Sequence, residues 1–314
     1  MHFLKDLTSI NKLNLQQTAI TIGNFDGMHP GHQAIFTKLK TYAKTHNMPV
    51  VVILFEPQPK EFFTSDEAIR ILPLRDKLLF LKNFGVDIVV CLRFDNKFAA
   101  ITAESFIQKI LIESLKVKYL LVGDNFRFGH KQQGDTKLLQ QYAARYNFET
   151  ENIPIKNHGL QRVSSTWLRE LLRAGDFVML DRVLCRKYAL TGKVGYGERL
   201  GSKLGFPTIN INLRKPLLMR GVYAVRVFGI ANKSLPAVAN IGYRPTVCGK
   251  KFLLEVHVLN FSDNCYGKCV QIEFIKKIRR EKKFNGIDEL KQQITRDIVV
   301  ATEFFELNKN ILSS

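Results

Sequence analysis

His29 and His32 stand at the end of the string Thr21-Ile-Gly-Asn-Phe-Asp-Gly-Met-His-Pro-Gly-His32. Two imidazoles at this spacing can each donate to an oxygen of a phosphoryl group. Gly23, Gly27 and Gly31 allow tight turning and let backbone N–H groups approach a ligand closely. The run Ala19 to Ile22 before the string is apolar and reads as a short buried strand. After it, the apolar positions 35, 36, 39, 42 and 43 fall on one helical face. The string is therefore a strand-to-helix turn. A helix beginning near Gly31 aims its unpaired N–H groups and its positive end into that turn, which is how chains bind phosphate. An ordinary loop carrying two surface histidines has the same composition, so other parts of the chain must decide.

Two further groups of residues suit the same chemistry. Gly123-Asp-Asn-Phe-Arg-Phe-Gly-His-Lys-Gln-Gln-Gly-Asp135 also leaves an apolar strand-like run. Asn125 offers donor and acceptor for a ribose or a base edge. Phe126 and Phe128 can stack on a flat ring or anchor the loop, and anchoring suits at least one of them. Arg127 can pair with a phosphate or with a core acid. Ser164, Ser165 and Thr166 stand at a helix start, where hydroxyls serve routinely as caps. With Arg169 one turn later, the same residues form an anion clamp.

A different set lies further on. Gly192 to Asn210 is glycine-rich and contains Gly195-x-Gly197. It has no Walker Gly-Lys-Ser/Thr and precedes strands, so a P-loop or dinucleotide fingerprint fails its context. What remains is a flap whose N–H groups can wrap phosphates. Thr208 and Asn210 alternate onto one strand face, as two neutral oxygen ligands for Mg²⁺ shared with a nucleotide, or as plain strand-edge polar residues. Glu255 and His257 share a face of a later strand.

The elements that must hold these residues differ between the two halves. Residues 18–22, 50–55, 87–93 and 118–122 read as strands buried on both faces. Helical patterns at 33–46, 75–84, 102–115, 135–146 and 164–173 alternate with them or follow, giving a doubly wound parallel sheet. The prolines of Phe55-Glu-Pro-Gln-Pro59 end the second strand. After a short helix, Phe177 to Cys185, six period-2 segments without helices predict a small antiparallel six-stranded β-barrel. They are Tyr188–Lys193, Thr208–Asn212, Val222–Phe228, Ala237–Ile241, Phe252–Asn260 and Val270–Ile275. A C-terminal helix from Ile287 to about Leu307 places residues 287, 290, 294, 298 and 301 on one face. The expected domains are 1–185 and 186–314.

A chain of 314 residues accommodates two domains. No apolar run approaches the ~18–20 residues of a spanning helix, and the N-terminus lacks a signal h-region. The five cysteines, at 91, 185, 248, 265 and 269, are odd in number and show no paired zinc spacing, so reduced thiols and a cytoplasmic protein are expected. The net charge of +19 is concentrated in residues 186–314 and favours anionic partners. Its densest stretch, Lys276-Lys-Ile-Arg-Arg-Glu-Lys-Lys283, reads as a solvated strand end and loop. No nucleic-acid motif accompanies it.

The first string resembles the nucleotide-binding turn of adenylyltransferases related to class I aminoacyl-tRNA synthetases. In full it resembles one branch, the bifunctional riboflavin kinase/FAD synthetases. The Gly123–Asp135 segment is similar to that family's second signature, and Ser164-Ser-Thr-x-x-Arg169 to the motif that contacts ATP phosphates. The family's usual His is Gln58 here. Gly201-x-x-Leu-Gly-x-Pro-Thr-Ile-Asn210 resembles the riboflavin kinase signature, with Ile209 in place of Ala. Ala239–Thr246, Leu254–Val258 and Arg279–Phe284 follow in the family's order.

The resemblance implies a Rossmann-like nucleotidyltransferase domain followed by a riboflavin kinase barrel. It implies phosphorylation of riboflavin to FMN, then adenylyl transfer from ATP to FMN giving FAD, with Mg²⁺ as cofactor. The catalytic residues it implies are Glu255, as general base, with His29 and His32. For ATP and its phosphates it implies Gly23, Phe25, Gly31, Asn125, Ser164, Ser165, Thr166, Arg169, Gly192, Gly197 and Gly205. For flavin it implies Phe62, Phe126, Arg279 and Glu281, and for the metal Thr208 and Asn210. His257 reads as structural. The expected partners are the small-molecule substrates, with no nucleic acid and no membrane, on a monomer or weak homo-oligomer. The alternatives are a chain with one live activity, or a basic nucleic-acid-binding protein on a dead nucleotidyltransferase fold.

Overall fold

The computed structural model describes residues 1–64, 70–154, 157–159, 161–197, 201, 204–213, 215–246 and 249–308. The chain divides into two compact units, Met1–Glu67 with Lys77–Ser165, and Ala68–Asp76 with Thr166–Ser314.

The first unit is built on six strands: β1 (His2–Leu4), β2 (Thr18–Ile22), β3 (Val50–Glu56), β4 (Ile88–Arg93), β5 (Val117–Gly123) and β6 (Glu149–Ile153). All are parallel, in the order β1-β4-β3-β2-β5-β6. Every residue of β2 is buried, as the apolar run at Ala19–Ile22 requires of a central strand. Helices α1 (Thr8–Asn11), α2 (Pro30–Thr45), α3 (Pro59–Phe63), α4 (Leu74–Asn83), α5 (Asn96–Ala99), α6 (Ala103–Ser105) and α7 (Thr136–Tyr146) belong to the connections, with α4 from Lys77 on counting here. From Phe106 to Ser114 α6 continues as a π-helix. Thr102 caps α6 by accepting from the Ser105 N–H, and Gly85 follows α4 at φ +79°. Val51, Ile53, Val90, Leu120 and Val122 meet Phe106, Ile107, Ile110 and Leu139 in one core.

The sheet is wider than the sequence pattern predicts, by β1 and β6. β1 is three residues long, and β6 reads Glu-Thr-Glu-Asn-Ile. Each lies at a sheet edge, where an apolar run is not required. Pro57 and Pro59 end β3 as expected, and Pro59 starts α3 directly, with the Gln58 N–H donating to Glu61 Oε2 at 3.1 Å. Strand order reverses beside β2: β3 and β4 lie on one side, β5 and β6 on the other. The carboxyl ends of β2 and β5 are therefore the topological switch point, where open α/β sheets bind ligands. The Gly23–His32 turn and the Gly123–Asp135 segment leave those two ends. A minor hairpin, β7 (Asn157–His158) with β8 (Gln161–Arg162), follows β6.

The second unit carries α8 (Ser165–Ala174) from Thr166 on, then α9 (Phe177–Leu184). Its strands are β9 (Ala189–Gly195), β10 (Ile209–Asn212), β11 (Gly221–Phe228), β12 (Leu235–Thr246), β13 (Gly249–Val258) and β14 (Cys269–Arg279). They close into an antiparallel barrel, β10-β13-β12-β11-β14-β9, which removes sheet edges. Its helix α10 (Ile287–Leu307) packs Ala301 and Phe305 against Val222, Ala224 and Val238 on the outside of the barrel. Ile287, expected on that buried stripe, is 64% exposed. The segment Ala68–Asp76 belongs to this unit through the Tyr188 hydroxyl on the Ile71 carbonyl at 2.6 Å. The Asp76 carboxylate accepts from the N–H and hydroxyl of Thr191.

Helix α9 is the anchor of the barrel. The Phe177 ring, 2% exposed, meets Tyr188, Tyr223 and Phe274 at centroid distances of 6.4, 5.8 and 6.0 Å. Phe177→Ala leaves a cavity among these rings and is expected to cost roughly 3–5 kcal/mol. The chain's single tryptophan, Trp167, lies in the same unit. Denaturant unfolding followed by its fluorescence should show the shifted midpoint. An unchanged midpoint would show that α9 does not support the barrel.

Candidate active sites

In the first unit the turn after β2 is held in an unusual backbone conformation. Phe25, Gly27 and Met28 have φ of +43°, +88° and +48°. A Cβ on Gly23 would lie 3.1 Å from the Phe25 ring, and one on Gly31 3.0 Å from the His29 ring. Glycine at both positions lets the two rings fold onto the backbone. Helix α2 starts at Pro30, one residue earlier than expected, with His29 as its N-cap: Nδ1 accepts from the His32 N–H at 3.4 Å. The two imidazoles stack at 3.6 Å, and Phe25 meets His32 edge-on at 5.2 Å.

Both imidazoles are neutral near pH 7. Burial chiefly, with the charge of Arg162 and against that of Asp26, pushes His29 down to about 4. Burial, then His29 and the Lys77 ammonium, pushes His32 well below the usual imidazole range. Because His29 Nδ1 is an acceptor, its proton sits on Nε2, leaving an N–H donor. His32 Nδ1 is buried without a partner among the described residues.

The remaining residues expected at this site have mixed surroundings. Asn125 is exposed, and its carboxamide oxygen accepts from both terminal nitrogens of Arg162 at 3.3 Å. Phe126 stacks on Phe128 at 5.3 Å, and Phe128 is buried against Phe106, so Phe128 is the anchor of the pair. Arg127 lies 3.6 Å from Asp135, taking the acid rather than the phosphate option. The Ser165 hydroxyl donates to the Asp26 carbonyl at 2.8 Å. Ser164 and Ser165 fall in the first unit, whereas Thr166 and Arg169 fall in the second. Phe62 sits among Phe63 and Phe94. Gln58 is 2% exposed and its Nε2 has no partner among the described residues. Sequence reasoning passed over Asp26 within the turn and Lys77 and Arg162 beside it.

In the second unit a cavity of about 380 Å³ lies beside the barrel, lined in part by Thr208, Asn240, Glu255, Arg279 and Asp297. Strand register brings its polar groups together. Glu255 on β13 stands directly between Asn210 on β10 and Asn240 on β12. Directly opposed residues share a face, with Cβ atoms ~4.5–5.5 Å apart. Asn210 Oδ1 is buried with no partner among the described residues. Gly197 packs on the Asn210 carboxamide, Gly192 on Ile211 and Gly201 on the Phe206 carbonyl, each too closely for a side chain. Gly205 has φ +90°. Ile209 is buried, on the opposite face from Asn210. Flap residues 198–200 and 202–203, and Cys248, lie outside the described residues.

His257 Nδ1 hydrogen-bonds the Pro207 carbonyl at 2.8 Å, holding the segment that carries Thr208, which lies just before β10 and not on it as expected. Arg279 lines the cavity with its guanidinium already engaged. It grips Asp297 of α10 through Nε and Nη2 at 2.8 Å each and faces the Phe284 ring at 5.7 Å. Asp297, 3% exposed, was not foreseen. It sits on the buried stripe of a helix whose sequence pattern there is apolar. Glu281 lies against Gly242. Among the described residues, no group of three or more His, Cys, Asp or Glu is placed to hold a metal ion. No described helix is long and apolar enough to cross a membrane.

The FAD synthetase family model matches residues 11–167, and the riboflavin kinase family model matches residues 184–305. The bifunctional riboflavin kinase/FMN adenylyltransferase of Escherichia coli K12 is 44% identical over 311 residues, covering 98% of this chain and 99% of that protein. The Haemophilus influenzae protein of the same description is 42% identical, covering 97% and 99%. A crystal structure from Streptococcus pneumoniae, described as a macrolide-efflux protein, superimposes with a TM-score of 0.73 at 26% identity, covering 96% and 98%. With both family models matched in order, and relatives aligned along nearly their whole length, the chain belongs to the bifunctional riboflavin kinase/FMN adenylyltransferase family.

Proposed function

We propose that this chain is an enzyme that phosphorylates riboflavin to FMN and then adenylylates FMN to FAD, spending one ATP at each step. One observation carries the reading: both family models match, the first covering the adenylyl-transfer candidates up to Thr166, with Arg169 just beyond its end, and the second covering all the kinase candidates. Adenylyl transfer is assigned to residues 1–185 and riboflavin phosphorylation to residues 186–314.

In the kinase reaction the 5′-hydroxyl of the ribityl chain attacks the γ-phosphorus of ATP, and ADP leaves. Glu255 takes the hydroxyl proton. Its position between Asn210 and Asn240 supports this role: the carboxylate faces the cavity with two neutral amides as its cross-strand neighbours, and no acid stands directly opposite it. Thr208 and Asn210 would hold Mg²⁺. The buried, unpartnered Asn210 Oδ1 suits a hard cation that takes oxygen ligands and shares them with phosphate. When bound, the ion neutralises phosphate charge. Gly192, Gly197 and Gly205 shape the flap over the phosphates. Arg279, held by Asp297, and Glu281 contribute to the flavin end of the cavity.

In the adenylyl reaction a phosphate oxygen of FMN attacks the α-phosphorus of ATP, and pyrophosphate leaves. The protein needs no nucleophile here. It aligns two anions and stabilises the charge that develops. Neutral His29 and His32 donate hydrogen bonds at the mouth of α2, and the turn from Gly23 through Phe25 to Gly31 supplies backbone N–H groups. Asn125, Ser164 and Ser165 complete the nucleotide contacts, and Phe62 and Phe126 the flavin contacts. Thr166 and Arg169 are included on their motif alone.

Glu255→Gln keeps shape and hydrogen bonding but removes the base. FMN formation should fall by roughly 10²–10⁴-fold with riboflavin binding retained, and FAD formation from supplied FMN should continue. A near-normal kinase rate would remove Glu255 from the mechanism and make His257 the next residue to test. Conversely, His32→Ala should cost adenylylation roughly 100-fold or more, the scale of a lost oxyanion donor, and leave the kinase running. Equal loss of both activities would argue against separate sites.

The neutral-histidine mechanism also has a pH signature. The folded-state pKa of His29, about 4, lies below the usual 6.5, so its contribution to stability is complete above pH 6.5 and is lost as pH falls towards 4. The His29 ring signal in an NMR titration should have its midpoint near 4. A midpoint near 6.5 would mean that the ring is charged through part of the working range.

A further inference from the structure

Lys77 has no part in the chemistry above, yet it lies against the phosphate turn. It is 3% exposed. Its ammonium donates to the Asn24 carbonyl at 2.9 Å and lies 3.5 Å from Asp26 Oδ1, and Asp26 is 2% exposed. A buried ammonium is retained only where its partners are well placed. Asn24 and Asp26 both belong to the strained stretch between Gly23 and His29.

The strain is held by a repeated contact. Three side chains take three alternate carbonyls of the turn: Lys77 that of Asn24, Ser165 that of Asp26 at 2.8 Å, and Gln33 that of Met28 at 3.0 Å. In a planar trans peptide the N–H points opposite to the carbonyl. Tying those carbonyls back therefore turns the N–H groups of Phe25, Gly27 and His29 the other way. Positive φ at Phe25, Gly27 and Met28 is the backbone cost of this arrangement. Of the three tethers, only Lys77 carries charge, and its field also reaches the His32 ring.

We propose that Lys77 is a positioning residue for adenylyl transfer, orienting the N–H groups of the Gly23–His29 turn towards the nucleotide phosphates and placing a fixed positive charge behind them. The inference rests on assigning adenylyl transfer to this turn.

The test uses the full chain and measures FMN formation from riboflavin and FAD formation from FMN separately. The wild type comes first: absence of FAD formation would sink the underlying assignment before any variant is compared. Lys77→Met should then lower kcat/KM for FAD formation by about 10- to 100-fold, with FMN formation unchanged. Lys77→Met also removes the positive charge facing the Asp26 carboxylate, so the decisive variant combines Lys77→Met with Asp26→Asn. Removing that buried negative charge should recover the melting temperature lost in the single variant. FAD formation should stay low, because the positive charge and the tether are still missing. If the double variant regains wild-type FAD formation, Lys77 serves only to neutralise Asp26 and the proposal is overturned. A Lys77→Met chain with full FAD formation overturns it as well.

Discussion

Burying a polar atom without a partner costs about 1–3 kcal/mol, and a fold tolerates it where something other than the fold is meant to be bound. Of the five such side-chain atoms in the described part of the first unit, four belong to Thr21, Asn24, His32 and Gln58. All four lie at or just beyond the carboxyl ends of β2 and β3, beside the switch point of the sheet. In the second unit Asn210 Oδ1 is such an atom, on the strand directly beside Glu255. The two sites thus obey one constraint, although their architectures are unrelated. The parallel sheet gathers backbone N–H groups at a helix start, while the barrel sets a carboxylate between amides through antiparallel register.

Each architecture also sets what its site can do. A strand-to-helix turn gathers dipoles and neutral donors, which suits a reaction between two anions that needs alignment and charge stabilisation and no proton acceptor. Burial keeps His29 and His32 uncharged, which suits the donor role proposed for them. The kinase step must deprotonate an alcohol, and Glu255 on the barrel wall is the base proposed for it. Glu255 is only partly buried, so its carboxylate keeps contact with the cavity, while Leu254 and Val256 on either side of it fill the barrel interior. Alternation along one strand puts the proposed base on one face and core side chains on the other.

Much of this was legible in the sequence. β2 occupies the predicted residues, the six barrel strands appear at the predicted segments, and α10 spans the predicted range. Those elements have strong periodicity or uninterrupted apolar runs, and the site motifs sit at their ends. The losses have physical reasons. β1 is too short to show a period, and β6 is polar because it is an edge. Lys77 and Asp297 look like surface charges on helices, and their burial depends on partners brought in by the fold: Asn24 and Asp26 for one, Arg279 for the other. Arg279 itself was foreseen at the flavin end from the family pattern, but its clamp to Asp297 leaves no trace in local spacing. His29 as a helix cap was hidden by Pro30, which starts the helix one residue before the glycine.

The central claim is that one chain carries two live transfer sites used in sequence. The most direct measurement is a time course of the wild-type protein with riboflavin, ATP and Mg²⁺, with the flavins separated at each point. FMN should rise first and FAD follow after a lag, and supplying FMN should remove the lag. FMN accumulating with no FAD, or neither flavin forming, would contradict the account.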